Sequence, residues 1–509
     1  MSIEQSVTKC KLDSLHSLAD QLSAFVQQSA ENGKALHEME PLIHAMVLKM
    51  GFAAMEQFLT LQGNGDVGET YQTPQGKTLM RSEVPLAREL RTIFGTHVIR
   101  SFGYSAGAKK AIELRPVEAK LALSKNHFSY YYEQFAQYFN VDQAFRQATR
   151  GLEMVLGSKV SIDSLEHLNR RVGEQAEAFL ETLPTPPSKE EGQLLVLSAD
   201  GKGVPLVQAD AAKFAACEEK PQRPGNRRMA TVAAVYTVDP FVRTPEEIVA
   251  ALFREDPPNP ASKTKRPEPQ FKHVAAFFAK EYDDGEETIM STGPIEAFTW
   301  ANGQIESRRT EHQKLIRLMD GQPSLWTTAD EIVNVPETET VDILDILHAN
   351  SYVWRAAKVF HAHKEHQEAF TQERLLRILQ GDVRGVIAGL RQMGTKHKLN
   401  GAAKKELATV CNYLENNADR MRYHEYLAKG YPIATGVIEG ACRHLVKDRM
   451  ERSGMRWTLA GARNMLHVRA VFQSSYWEQF QAERIAREQA PLHAGYQAAH
   501  SSNLSNLAI

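Results

Sequence analysis

Two apolar runs in this chain end in the same way. LLVLSADG (194–201) and LIRLMDG (315–321) each pass from strand-forming residues straight into Asp-Gly. A short, unbroken apolar run bounded by a turn signal is the mark of a strand buried on both faces, and such strands belong to sheets covered by helices. Two of them constrain the chain to an α/β core with Asp200 and Asp320 at strand tips, the edge where open α/β sheets bind ligands. The Gly after each Asp lets a metal, a phosphate or another backbone come close. Asp-Gly is also a common turn dipeptide, so it is the repetition that carries weight. Carboxylates converging at such an edge repel one another unless a cation sits between them. Hard oxygen ligands without a His/Cys cluster point to Mg²⁺ or Mn²⁺, not to zinc.

Around these runs the sequence divides into segments. Residues 1–115 read as an N-terminal helical region, with a polar loop at 63–77 and a short hairpin at 91–106. Residues 116–182 are helical. There Val141, Ala144, Phe145, Ala148, Leu152 and Val155 recur at spacings of three and four, as one buried helix face should. A turn at 157–159 follows, then Ser161 as a cap and a second helix with Leu165, Leu168 and Val172. The pair fits a helix-turn-helix and equally an ordinary helical hairpin; Arg170 and Arg171 favour the DNA-binding version. LPTPPSKEEG (183–192) is a linker by composition.

The α/β core opens at 193 and its first part runs to 354. Further strands are predicted at 229–236 and 340–347, the latter leading into a helix near His348, and a helix is predicted at 271–282. Residues 355–430 read as a helical insertion and 431–490 as a helical region, with one long helical stretch at 436–487. A tail, 491–509, follows.

Lys and Arg total 60 against 62 Asp and Glu, which excludes both a polycationic coat and an acidic disordered chain. The charge is unevenly spread. The first 60 residues hold four Lys against seven acids, while 440–470 hold seven Lys/Arg against two acids. Five basic residues between Arg391 and Lys405 meet no acid, and Lys263, Lys265 and Arg266 cluster in a proline-rich loop at 254–270. A DNA backbone is the partner suited to that distribution. Cys10, Cys217, Cys411 and Cys442 form no CxxC pair, so a reducing cytosol is expected. The first residues lack the plan of a signal peptide. His44, Lys49 and Glu56 interrupt the apolar stretch 41–61, which reads as an amphipathic helix and not a membrane span. The expectation is a cytoplasmic protein with no membrane partner.

Glu439, in TGVIEGACRHLVKDRMERSGMRW (435–457), is the candidate third acid. In a helix, Arg443 and Lys447 would lie four and eight residues beyond it on the same face, a pattern that ordinarily only supports a helix. Gly436 and Gly440 bracket it at a cost of roughly 1 kcal/mol each if interior, which tight backbone packing would explain.

Several stretches together resemble bacterial insertion-sequence transposases of the ISKra type, DDE enzymes related to the Mutator-like group. They are DGKGV (200–204), YTVDPFVRTPEEIVAALF (236–253), DGQPSLW (320–326), LDILHANSYVWRAAKVF (344–360) and YPIATGVIEGACRHLVKDRMERSGMRW (431–457). The resemblance covers about 116–490, and its last motif is the most specific. It implies an RNase H-like catalytic core with a helical insertion, and Asp200, Asp320 and Glu439 as the catalytic, metal-holding acids. Asp345 and His348 match the Asp-x-x-His signature of Mutator-like relatives. The Cys pairs that family members often carry in the N-terminal region are absent around 91–106, so no zinc site is carried over.

The implied function is metal-dependent cleavage of DNA at transposon ends, followed by attack of the freed 3′-hydroxyl on target DNA. Two divalent ions would activate the nucleophile and hold the leaving oxygen, with Asp200 bridging them. Double-stranded DNA is the expected partner, and holding two ends implies a homodimer or higher oligomer. Further candidates for DNA contact are Lys202, Asp345, His348, Arg443, Lys447, Arg449, Arg452, Arg456 and Trp457, besides Arg170 and Arg171. Trp326, Trp354 and Trp457 each follow a motif and read chiefly as core packing, with base stacking open to one of them. The same acids would serve an RNase H-fold nuclease that cuts without joining. A domesticated transposase that only binds DNA, and a paired-carboxylate glycosidase, are the other readings.

Overall fold

The computed structural model describes residues 3–216, 225–255, 265–283, 288–311, 313–452 and 454–500. Lys263, Cys217 and the tail beyond residue 500 lie outside the described residues, as does the side chain of Cys10. The chain forms two compact units, Met1–Asn169 with Trp477–Ile509, and Arg170–Tyr476. This differs from the segments expected above. The helix Trp477–His500 groups with the first 169 residues, and the division falls inside the helix Ile162–Glu181.

In the first unit, helices Ile3–Glu31 and Leu36–Thr60 precede six short strands between Thr70 and Leu114. The expected loop and single hairpin understate this region. The hairpin pairs Leu86–Thr92 with Gly95–Ser101, so it starts earlier than 91–106. Arg88 obscures the strand in the sequence, because its guanidinium turns inward to Glu118 and to the carbonyls of Ser124 and Asn126. Leu36–Thr60 is long and apolar enough, by length and composition, to cross a membrane. One of its faces packs on the hairpin, where Phe52 stacks on His97 at 4.4 Å and the Glu56 carboxylate meets His97 Nδ1 at 2.7 Å.

The periodicity from Val141 to Val155 is two helices, not one. Tyr130–Asp142 ends at an extended Gln143, and Phe145–Leu156 restarts with Ala148, Leu152 and Leu156 buried and Val155 exposed. Gly157 closes it in the left-handed region (φ 64°). Ser161 Oγ then accepts the Ser164 N–H at 3.1 Å, and Leu165 and Leu168 are buried as expected.

The second unit is a mixed α/β fold built on a five-stranded sheet. Its strands are β1 (Leu194–Pro205), β2 (Arg227–Val238), β3 (Gln270–Phe277), β4 (Lys314–Met319) and β5 (Thr340–Leu344), in the order β5-β4-β1-β2-β3. Only β2 runs against the rest: β1–β2 and β2–β3 are antiparallel, and β4 is parallel to both β1 and β5. The predicted helix at 271–282 is β3 and the start of a hairpin, Lys280–Asp283 with Thr288–Ser291. His273, Val274, Ala275 and Ala276 are buried, so this run has neither helical nor alternating periodicity to read. A buried ion pair locks the linker's end to the sheet. Arg308 donates to Glu191 at 2.9 and 2.8 Å and to the Val235 carbonyl at 3.2 Å.

Helix α1 (Pro323–Ile332) follows β4, and α2 (Ile346–Phe360) follows β5. The chain then stays helical through Lys364–Leu379, Val383–Lys396 and α3 (Gly401–Asn416), returning by Tyr423–Ala428. The predicted long stretch 436–487 is interrupted. It comprises α4 (Gly436–Ala441), a π-helical turn at Cys442–Lys447, Asp448–Met450, then α5 (Leu459–Gln473) before the Trp477 helix. The break occurs where Trp457 bonds in strand fashion to Pro205 and Val207, with N–H···O distances of 3.0 and 2.8 Å.

Candidate active site

Asp320 is the first residue after β4. Its Oδ1 accepts the Gln322 N–H at 3.0 Å, and its carbonyl takes the indole N–H of Trp326 at 2.7 Å, which pins the start of α1. Asp200 is not at a strand tip, because β1 continues to Pro205 against β2. Pairing with β4, however, stops at Leu197, so Asp200 stands just past the point where the parallel half of the sheet ends. Its Oδ1 accepts the Gly201 N–H at 2.7 Å, and its Oδ2 lies 3.5 Å from the Cys442 thiol. The Gly after Asp320 makes room for a ring. A Cβ on Gly321 would fall 2.4 Å from Tyr413 of α3, which stacks on Tyr352 of α2 at 3.6 Å.

Asp345 is wholly buried and caps α2. Oδ1 accepts the N–H groups of Leu347 (3.1 Å) and Thr435 (3.2 Å). Oδ2 accepts from the Thr435 hydroxyl and meets His348 Nδ1, both at 2.8 Å. Four partners occupy the sites a carboxylate offers, and burial removes Asp345 from the candidates for DNA contact. It is a junction instead. Its N–H bonds the carbonyl of Met319, next to Asp320, at 2.9 Å, while Thr435 starts the helix that carries Glu439. The helix begins at Ile346, two residues before His348, because Asp345 caps it.

Glu439 is exposed, its N–H bonded to Thr435 O at 3.0 Å. The π turn three residues on overturns the expectation that Arg443 and Lys447 share its face, since that turn shifts the helical phase. Arg443 instead lies near Asp448, at 3.9 Å. The widened turn leaves carbonyls to satisfy, and the buried Arg469 of α5 does so, donating to Leu445 O at 2.7 Å and to His444 O. Tight packing does not explain Gly436 and Gly440, as a Cβ at either would meet nothing within 4 Å.

The acids interact through their charges. Burial raises the Asp320 pKa, and the charges of Asp200 and Asp345 add to this; the Gln322 N–H and His348 oppose it. Partial desolvation raises Glu439, again with Asp345 and Asp200 adding and His348 opposing. His348 is raised by its hydrogen bond to Asp345 and by the charges of Asp345, Asp320 and Asp200. Burial and Asp200 push the Cys442 thiol far up, so it is a neutral donor. Carboxylates far apart in sequence thus form one electrostatic group with His348. No family model matches the chain, and no curated protein matches it.

Hard carboxylate oxygens, with the Asp200 charge adding to the raised pKa of both Asp320 and Glu439, are the donor type that Mg²⁺ or Mn²⁺ takes. Its spacing is open: among the described residues no three His, Cys, Asp or Glu side chains stand close enough to hold an ion as arranged. Of the other candidates, Arg449 and Trp457 are buried, with the guanidinium 4.8 Å above the indole ring, so neither is placed to touch DNA. Trp326 is core and Trp354 is half-buried beside Phe253. Lys202, a strand residue, sits 4.0 Å from Glu451, which also takes Arg227 at 2.9 Å. Arg443, Lys447, Arg456 and Arg170 are exposed, and Arg452 and Arg171 are half-buried. Sequence reasoning missed Thr435, Cys442, Tyr413 and Arg469. The Thr-x-x-x-Glu and Glu-x-x-Cys spacings were visible, but neither spacing implies a partner.

Proposed function

We propose that the unit 170–476 is an RNase H-like catalytic core and that the chain is a DDE transposase of the insertion-sequence type. It would cut DNA at element ends and join the freed 3′-hydroxyl to target DNA. The observation that carries this reading is that the Asp200 charge bears on both Asp320 and Glu439, just past the point where the pairing of two parallel strands ends. Mutual repulsion among acids is unfavourable in the free protein and becomes an asset when a divalent cation arrives. Asp200, Asp320 and Glu439 would hold that cation, which would activate the attacking hydroxyl and steady charge on the leaving 3′ oxygen.

The chain's own contribution is positional. Asp345 holds the end of β4 through its backbone N–H and the start of α2 and the approach to Glu439 through its buried carboxylate, so the second and third acids cannot drift independently. With Nδ1 held by Asp345, the His348 ring is oriented and can offer Nε2–H to a phosphate oxygen when charged.

The test uses DNA flanking the gene, where inverted repeats would mark the element's ends. The purified chain in Mg²⁺ should nick those ends and join a pre-cut 3′ end to a plasmid. Asp200→Asn, Asp320→Asn and Glu439→Gln should each lower both steps at least about a thousandfold with DNA binding within about twofold. Full cleavage by any of the three refutes the assignment, and cleavage without joining converts it to a nuclease.

A further inference from the structure

Beside the Glu439 helix lies a cavity of about 390 Å³, walled by Tyr236, Arg243, Arg266, Ala434, Gly436 and Val437 among others. Two guanidiniums therefore border one space. Arg243 is half-buried and oriented by carbonyls, donating from Nε to Phe241 O at 3.1 Å and from Nη2 to Tyr431 O at 2.6 Å. Those acceptors fix its direction without cancelling its charge. Arg266 is exposed, and among the described residues no acid pairs with it. Asp239 and Glu268 also line the cavity, and each acid of this region has another partner. Glu268 pairs with Lys265 at 2.9 Å, Asp239 accepts the Gln193 N–H at 3.1 Å, and Glu247 accepts the Thr244 N–H at 2.9 Å. Burial first and the Arg266 charge second bring Arg243 down to about 10, with the Glu247 charge opposing them, so the two guanidiniums are close enough to repel one another.

We propose that this cavity is a phosphate subsite in which Arg243 and Arg266 clamp one phosphodiester of the DNA strand leading to Glu439. Two planar forks converging on one space suit an anion with several oxygens. The wall at Gly436 is open, with nothing within 4 Å of a Cβ there, so a sugar–phosphate chain can run along it. Gly436 and Glu439 are three residues apart, about 4.5 Å of helix rise, so the cavity wall and the proposed third acid belong to one short helix. A backbone contact of this kind positions the strand and is indifferent to base sequence. The proposal rests on the DNA-cleaving reading above.

The test is Arg266→Gln and Arg266→Lys in the full chain. Arg266 is exposed, so neither variant threatens the fold, whereas Arg243 also holds the 431 segment. Binding to duplex DNA is measured between 50 and 200 mM salt, and ethylation interference maps the contacted phosphates. Arg266→Gln should lower affinity about tenfold on every sequence and reduce the salt slope by about one ion, a factor of about 3.5 over that range. Arg266→Lys should keep the slope, and interference at one phosphate near the cut should vanish only in Arg266→Gln. Wild-type affinity, slope and interference in Arg266→Gln would overturn the subsite while leaving the transposase reading intact. A wild-type chain that binds no DNA would overturn both.

Discussion

Asparagine at position 345 is nearly the shape of aspartate, yet it should disrupt the junction. One side-chain oxygen survives to accept the N–H groups of Leu347 and Thr435. The other becomes an NH₂ facing the Thr435 hydroxyl and His348 Nδ1, both 2.8 Å away in the wild type. The hydroxyl can rotate to accept, but a charged imidazole cannot, so His348 must lose its Nδ1 proton or its partner. A charge-assisted hydrogen bond contributes about 1.5–3 kcal/mol. The ring is 40% exposed, so solvent screening reduces this to about 1–2 kcal/mol, or roughly 2–6 °C in unfolding temperature. His348 has a folded pKa raised by Asp345 first, with Asp320 and Asp200 adding. Its stabilisation is therefore complete below the unfolded value near 6.5 and is lost as pH rises through the raised folded value. Thermal unfolding of wild type and Asp345→Asn should differ most near pH 6 and least near pH 9, and the His348 NMR titration midpoint should fall in the variant. Strand cleavage should drop at least about tenfold with DNA binding preserved, because the approach to Glu439 loosens. A pH-independent stability gap, or an unchanged His348 midpoint, would refute the reasoning.

Two further perturbations address the same region. Because burial and neighbouring acids raise the Asp320 pKa, its ionised form is penalised in the folded state at pH 7, and the penalty disappears as pH falls below the unfolded value near 3.8. Asp320→Asn should therefore stabilise the protein by about 0.5–1 kcal/mol at pH 7 without divalent ions, and Mg²⁺ should raise the unfolding temperature of the wild type but not of the variant. A destabilised Asp320→Asn would contradict this. Gly321→Ala should cost about 1–3 kcal/mol through its clash with Tyr413, and less in a Tyr413→Leu background, as a double-mutant cycle in thermal unfolding would measure.

The sheet was legible wherever a strand was apolar and bounded. Leu194–Leu197 and Lys314–Met319 announce themselves, and Asp-Gly marks where the parallel pairing gives out. β3 was illegible for the opposite reason. Its centre is buried, so helix and strand predict the same apolar run, and only hydrogen bonding to β2 distinguishes them. The helix–helix break at Gln143 was hidden because a spacing of three and four continues across it by coincidence, while two extended residues, Gln143 and Ala144, separate the helices.

The candidate acids could be listed from the sequence, but the contacts between the segments that carry them could not. Asp200, Asp320 and Glu439 were named from strand ends and motif, and the Asp200 charge bears on each of the other two. What sets their relation is a carboxylate that contacts no solvent, bonded to a threonine 90 residues away; no local pattern encodes such a pair. The basic excess at 440–470 shows the same limit. Arg449 lies buried over Trp457, Arg463 donates to the Ala279 carbonyl and Arg469 caps the π turn, so three of those seven charges serve the fold. A count of charges therefore overstates what faces DNA from this segment. Elsewhere it points to the surface it suggests: Lys396, Lys398, Lys404 and Lys405 are all exposed, and Arg266 borders the cavity beside Glu439. If DNA reaches the acids, the guanidinium pair at that cavity and the exposed lysines of the insertion join the exposed Arg443, Lys447 and Arg456 as charges available to bring it there. The buried Arg469 acts on the fold itself, satisfying carbonyls of the π turn that follows Glu439's helix.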